Sequence, residues 1–114
     1  MVTLMSKKVL FVCSHNKLRS PTAEAVFAGM PGIEVDSGGL NPEAEVPLSE
    51  DQVEWADLIL VMETGHRKRL NRMFGHLLAK KKLAVLDIPD DYDFMEPALV
   101  EQLKTKCARH LRSC

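Results

Sequence analysis

The stretch KVLFVCSHNKLRSP, residues 8–21, decides the fold. Its first five residues are a short apolar run rich in β-branched and aromatic side chains, which predicts a strand buried on both faces. The run ends at Cys13, and a polar segment follows it. Ser20 can cap a helix whose first residue is Pro21, because a proline there has no N–H to leave unsatisfied. The stretch therefore predicts a strand, a loop and a helix in succession.

The same alternation continues to the end of the chain. Residues 33–37 predict a second strand before a flexible Gly38-Gly39 pair, and a Ser-x-x-Gln capping box predicts a short helix starting at Ser49. Residues 56–62 and 83–86 predict two more strands, each followed by an amphipathic helix. The predicted apolar positions of these two helices are Leu70, Met73, Phe74, Leu77 and Leu78, then Leu99, Leu103, Cys107 and Leu111.

Strands that alternate with helices predict an α/β fold, with right-handed crossovers and a parallel sheet. We expect a three-layer α/β/α arrangement with four strands in the order 2-1-3-4. A chain of 114 residues that is 46% hydrophobic fits one domain spanning residues 1–114.

Composition narrows the function classes. The formal net charge of -1 gives no overall reason to bind nucleic acid or a membrane, and residues 1–13 match neither a secretory signal nor a membrane span. The three cysteines are an odd number without zinc-site spacing, which favours reduced thiols in the cytoplasm. We expect neither a metal nor another cofactor.

Three polar segments follow predicted strands: residues 13–20, 37–40 and 87–93. Because ligands of parallel α/β sheets bind at the carboxyl ends of the strands, we expect these segments to meet at one rim. The sequence therefore predicts a site there.

The first of these segments carries the chemistry. Cys13 is followed six positions later by Arg19 and then by a hydroxyl group, on a predicted strand-loop-helix turn. A cysteine attacks as its thiolate, which the helix dipole, inward loop N–H groups and the Ser20 hydroxyl would all favour. The Arg19 fork can bind two phosphate oxygens, and loop amides can bind the rest. The predicted substrate-binding residues of the loop are Ser14, His15, Asn16, Lys17, Leu18 and Ser20.

The segment VCSHNKLRSPTAEAVF resembles the signature of the low-molecular-weight protein tyrosine phosphatases, which reads roughly Cys-x-Gly-Asn-x-Cys-Arg-Ser-Pro. The segments DSGGL and ADLILVMETGH resemble two further family segments in the expected order. The resemblance implies that Cys13 is the nucleophile, Arg19 the phosphate clamp and Ser20 a stabiliser of the thiolate. It also implies that Asn16 holds the loop, with Ser37 and His66 in supporting positions.

The resemblance further implies a general acid in residues 88–92, IPDDY. The family places an aspartate there in an Asp-Pro-Tyr loop, so Asp90 aligns as the acid and Tyr92 as a pocket wall. Asp87 and Asp91 remain alternative acids, and a solvated turn is the alternative for the whole loop.

The chain departs from the family pattern at four places. His15 replaces a glycine, Leu18 replaces a second cysteine, and Asp91 replaces a proline. The connection between Gly39 and Leu48 is also shorter, so the substrate-facing surface is altered.

Two other functions stay open. Arsenate reductases share the loop, and Cys107 and Cys114 could form a thiol relay, although Cys107 falls on an apolar helix stripe. A module that binds phosphate without turnover is the second, supported by the basic residues 66–69, Arg72 and 80–82, which could also bind RNA. The predicted partner is a phosphorylated substrate, either a phosphoprotein or a small phosphomonoester.

Overall fold

A computed structural model describes residues 7–89 and 91–112, except for the side chains of Arg109 and Arg112. Within these residues, four strands alternate with four helices. They are β1 (Lys7–Cys13), α1 (Arg19–Phe27), β2 (Ile33–Gly39), α2 (Glu50–Trp55), β3 (Leu58–Val61), α3 (Thr64–Leu78), β4 (Lys82–Val85) and α4 (Pro97–Arg112).

The strands form a parallel sheet in the order β2-β1-β3-β4, which confirms the predicted topology. β1 therefore has β2 on one side and β3 on the other. In this register Cys13 pairs with Gly39 of β2, and Val12 pairs with Val61 of β3. The connection from β1 to β2 and the connection from β2 to β3 run in opposite directions across the sheet, so a crevice opens at the carboxyl end of β1.

The two faces of β1 contribute to two separate cores. Val9, Phe11 and Cys13 lie in one cluster, with residues of α1 and α4, whereas Leu10 and Val12 lie in the other, with residues of α2 and α3. This alternation follows from the two-residue period of a strand. The prediction of a strand buried on both faces, with helices covering both, is confirmed.

The capping box that starts α2 is also confirmed. The Ser49 hydroxyl accepts a hydrogen bond from the Gln52 amide, and the Gln52 side chain accepts one from the Ser49 amide. Gln52 Nε2 then donates to the Ser37 carbonyl at 3.0 Å and to Asp36 Oδ2 at 3.0 Å. The cap of α2 thereby holds the carboxyl end of β2.

Three local predictions were wrong. α1 begins at Arg19 with Leu18 as its N-cap and no side-chain cap, so Ser20 lies inside the helix and its hydroxyl contacts Cys13 instead. Met73, predicted as an apolar position of α3, is 41% exposed, and α3 also has a kink at Phe74, where φ is −134°. Gly38 and Gly39 are not a flexible pair, since they are the buried end of β2.

None of the helices in the described part of the chain is long and apolar enough to cross a bilayer.

Candidate active site

Residues 14–18 form the loop between β1 and α1, at the carboxyl end of β1 where the crevice lies. Together with its flanking residues it encloses a cleft of about 260 Å³. The cleft is lined by Cys13, His15, Lys17, Leu18 and Arg19. The structure thus brings both ends of the predicted loop motif to one cavity.

Cys13 is held at the cleft by two polar neighbours. Its Sγ lies 2.9 Å from the Ser20 hydroxyl and 3.3 Å from the backbone nitrogen of Asn16, which donates to it. The thiol is 3% exposed and sits before the first turn of α1. The sulfur atom therefore has two polar contacts at the entrance to the loop that leads into α1.

Asn16 connects the loop to β2. Its backbone has a φ of 55°, in the left-handed region that asparagine tolerates better than most residues. Its buried side-chain amide donates to Ser20 Oγ at 2.9 Å and to Ser37 Oγ at 3.0 Å. Ser37 Oγ in turn donates to Glu24 Oε1. This chain of hydrogen bonds fixes the Ser20 hydroxyl that contacts Cys13.

The segment after β2 forms hydrogen bonds with the backbone of the loop. The amides of Leu40, Asn41 and Glu45 donate to the carbonyls of residues 13, 14 and 15 at 2.9, 2.9 and 3.0 Å. Those carbonyls therefore point away from the cleft. The connection between β2 and α2 is thus the part of the chain that orients the loop backbone.

Gly39 permits this close approach. A Cβ atom at this position would lie 2.5 Å from Ala44 Cβ, 2.7 Å from the Ser14 carbonyl oxygen and 3.1 Å from the Asn16 nitrogen. Real Cβ atoms essentially never approach other atoms below 3.0 Å. The glycine is needed for packing against the loop backbone.

Arg19 is 4% exposed and forms one wall of the cleft. Its Nη1 donates to Glu63 Oε2 at 2.5 Å and to the Ile88 carbonyl at 2.8 Å. The guanidinium is therefore fixed by residues that follow β3 and β4. Glu63 was not among the predicted site residues, although its Glu-x-x-His spacing to His66 matches an N-terminal capping box.

That capping box joins α3 to the loop. The Glu63 side chain accepts from the His66 amide, and His66 Nδ1 accepts from the Glu63 amide at 3.1 Å. Because Nδ1 is an acceptor, a neutral ring carries its proton on Nε2. Nε2 lies 3.1 Å from the Ser14 hydroxyl. The His66 side chain therefore connects Ser14 to Glu63, the residue that binds Arg19. His66 is buried, with 6% exposure.

The cleft mouth differs from the family pattern. His15 and Lys17 are exposed, and His15 Nε2 lies 3.2 Å from Asn41 Nδ2. His15 is not among the residues with positive φ, so a histidine replaces glycine there without backbone strain. Leu18 adds an apolar wall beside Arg19. The mouth therefore carries a cationic side chain and a titratable ring.

The predicted acid loop is described in part. Asp90 lies outside the described residues. Asp87 and Asp91 are exposed, and the Asp87 carbonyl accepts from Lys106 Nζ at 2.6 Å. The Tyr92 ring packs against the core that contains α4, and its hydroxyl accepts from Gln102 at 2.9 Å.

Cys107 lies far from solvent in the core that contains α4. Its side chain is fully buried, and this burial raises the pKa of the thiol to about 12. Cys114 lies outside the described residues.

Comparisons with known proteins find similar sequences and similar folds. No family model matches the chain. A protein-arginine-phosphatase of Geobacillus stearothermophilus is 30% identical over 94 residues, which cover 61% of this chain and 64% of the relative. The chain thus spans less than two thirds of the length of the curated relatives it matches.

Two solved structures have the same fold. The YwlE arginine phosphatase of G. stearothermophilus superimposes with a TM-score of 0.76 at 25% identity, covering 92% of this chain and 90% of the other. A low-molecular-weight protein tyrosine phosphatase of T. tengcongensis gives a TM-score of 0.78 at 22% identity, covering 96% and 100%.

The fold and the loop define the class of α/β proteins with a cysteine at the carboxyl end of a central parallel strand, where a loop leads into a helix. In fold the chain is similar to the YwlE arginine phosphatase and to a low-molecular-weight protein tyrosine phosphatase.

Proposed function

We propose that the chain is a cysteine-dependent phosphatase that hydrolyses a phosphomonoester through a phosphocysteine intermediate. The observation that carries this proposal is the placement of Cys13 Sγ at the cleft, in contact with the Asn16 amide and the Ser20 hydroxyl, with Arg19 in the same lining. A thiolate and a guanidinium that converge on one small cavity suit attack on a phosphoryl group.

In the first step the Cys13 thiolate attacks phosphorus, an S–P bond forms, and the P–O bond to the leaving group breaks. The departing oxygen takes a proton from Asp90, which we propose as the general acid from its position in the family motif. In the second step Asp90 removes a proton from water, the hydroxide attacks phosphorus, and the S–P bond breaks. Inorganic phosphate leaves, and the thiolate is restored.

The remaining loop residues would bind the phosphoryl oxygens. The amides of residues 14–16 would point toward the cleft, because the carbonyls of the same peptide groups, those of residues 13–15, accept hydrogen bonds from the segment after β2. Ser20 would stabilise the thiolate, both before attack and as the leaving group of the second step. Tyr92 stays a proposed pocket wall, which requires its ring to lie against the bound substrate.

Phosphotyrosine is the substrate class that the cleft mouth favours. The relatives' names raise phosphoarginine as an alternative, and that group carries a cationic guanidinium next to its phosphate. Lys17 lines the cleft and would repel such a cation, whereas it attracts an anionic aryl phosphate. We therefore propose a phosphotyrosine-type substrate.

Arsenate reduction fits the site less well. A thiol relay needs a second cysteine that can reach Cys13 as a thiolate, and Cys107 is fully buried with a pKa near 12. A reducing cytoplasm is the proposed location, because oxidised Cys13 could not attack phosphorus.

The test is a metal-free assay with a small aryl phosphate and with phosphotyrosine and phosphoarginine peptides of one sequence. We expect hydrolysis of the aryl phosphate, none by Cys13→Ser, and a larger loss in Asp90→Asn than in Asp91→Asn or Asp87→Asn. Lys17→Gln should lower the preference for phosphotyrosine over phosphoarginine. Full activity of a folded Cys13→Ser would refute the mechanism.

Turnover of arsenate with a thiol reductant, in place of phosphate ester hydrolysis, would support the reductase. Stoichiometric phosphopeptide binding without turnover would support the binding module.

A further inference from the structure

Positive charge is concentrated in one part of the chain. Residues 64–86 contain seven of the fifteen lysines and arginines and none of the sixteen acidic residues. The formal net charge of the whole chain is only -1, because acidic residues outside this segment offset its positive charge. The basic segment comprises α3, the turn after it and β4.

The first half of α3 presents these charges to solvent. Lys68 and Arg72 are exposed, and we call these two residues the α3 basic face. Lys68 and Arg72 are four residues apart and therefore lie on the same line along the helix. Leu70 and Phe74 are buried on roughly the opposite side. The face is therefore a cationic strip directed away from the core.

This strip starts at the candidate active site. Glu63, immediately before α3, holds Arg19, and Thr64 and Gly65 line a neighbouring cleft of about 400 Å³. Residues 87–89 form the other side of that cleft, and the Ile88 carbonyl also accepts from Arg19. From Gly65 to Arg72 the helix rises by about 10 Å, a span that about three residues of extended peptide cover. A peptide that runs from the Cys13 cleft past Gly65 therefore needs about three further residues to reach Arg72.

We propose that the α3 basic face binds an acidic segment of the phosphorylated protein substrate. This inference rests on the proposed phosphatase function and adds a substrate preference to it. We expect acidic residues to strengthen binding when they lie about three to six positions from the phosphorylated residue. Acidic residues nearer to it would be repelled by the carboxylates of Glu63 and Asp87, which line the neighbouring cleft.

RNA is the competing polyanion, and α3 is poorly suited to it. Binding of single-stranded nucleic acid uses exposed aromatic side chains on which bases stack. The one aromatic residue of α3 is Phe74, which is 8% exposed. The face offers charge without a stacking surface, which favours carboxylates of a peptide.

The experiment compares kcat/KM for three phosphotyrosine peptides that share their central residues. The flanks at positions three to six on both sides are acidic, neutral or basic. We expect the acidic peptide to have the lowest KM at low salt, by roughly three- to tenfold over the neutral one, the scale of two exposed ion pairs. The advantage should disappear near 1 M NaCl, where the screening length is about 3 Å.

Two variants locate the effect. Lys68→Glu/Arg72→Glu should abolish the preference for the acidic peptide and leave kcat for a small aryl phosphate unchanged, since neither residue touches the cleft. Lys104→Glu is the matched control, because Lys104 is an exposed lysine on α4, and it should keep the preference.

Equal kcat/KM values for acidic and neutral peptides in the unmodified protein would overturn this inference, as would a preference that survives Lys68→Glu/Arg72→Glu. Salt-dependent competition by an RNA oligonucleotide, with no gain from acidic flanks, would assign the face to nucleic acid instead. Absence of aryl phosphate hydrolysis would reject the proposed function itself, since that assay does not depend on α3.

Discussion

Gly39→Ala tests whether the packing between β2 and the phosphate-binding loop sets the catalytic geometry. The new methyl group would lie 2.7 Å from the Ser14 carbonyl oxygen and 3.1 Å from the Asn16 nitrogen. Both are backbone atoms, so no side-chain rotation relieves the contacts. A normal separation requires β2 and the loop to move apart by several tenths of an ångström, and the 2.5 Å contact with Ala44 Cβ requires about 1 Å.

The cost follows from what that movement disturbs. Overpacking of a tightly packed site costs about 1–3 kcal/mol. The hydrogen bonds from the amides of Leu40 and Asn41 to the loop carbonyls would also lengthen from 2.9 Å, and each is worth about 1 kcal/mol. We expect the free energy of unfolding to fall by about 2–4 kcal/mol. A loop displaced by about 1 Å should lower kcat by up to about 100-fold.

Urea denaturation and aryl phosphate kinetics measure the two effects. Gly29→Ala is the matched control, because no atom lies within 4 Å of its added Cβ and its φ is not positive. It should change the free energy of unfolding by less than about 0.5 kcal/mol and leave kcat unchanged. If Gly39→Ala behaved like Gly29→Ala, the close approach at Gly39 would not be what positions the loop.

Three further predictions concern single side chains. Ser20→Ala should lower kcat roughly 10- to 100-fold and slow alkylation of Cys13 by iodoacetate, because a hydrogen bond to a charged group is worth about 1.5–3 kcal/mol; unchanged alkylation would contradict this role. Glu63→Ala should lower kcat more than Glu63→Gln, since glutamine keeps one acceptor oxygen, which can still accept from Arg19 Nη1; equal effects would argue against positioning. The pKa of Cys107 is raised from 9.0 to about 12 in the folded chain, so its contribution to stability is complete below pH 9 and is lost as pH rises toward 12. Between pH 9 and pH 12 the free energy of unfolding of Cys107→Ala should therefore fall less steeply with pH than that of the unmodified chain, and the two slopes should differ by about 1.4 kcal/mol per pH unit. Equal slopes would contradict the burial argument.

The sequence by itself determined the order of the elements and the place of the site. Apolar runs of strand length and amphipathic helices predict parallel strands in the order 2-1-3-4, because local patterning and right-handed crossovers leave few other arrangements. The spacing from Cys13 to Arg19 at the end of a strand was enough to locate the loop that we propose binds phosphate.

Tertiary structure alone decided how the loop is held. The sequence predicted both a contact of the Ser20 hydroxyl with Cys13 and a helix cap at Ser20, and the structure has only the contact. Glu63 meets Arg19 across 44 positions of sequence, and Gly39 is required because of Ala44 and the loop backbone. Such contacts depend on the distance between strands and loops that are far apart in the sequence. The helical and strand periodicities of a sequence describe only neighbouring residues, so they contain no information about that distance.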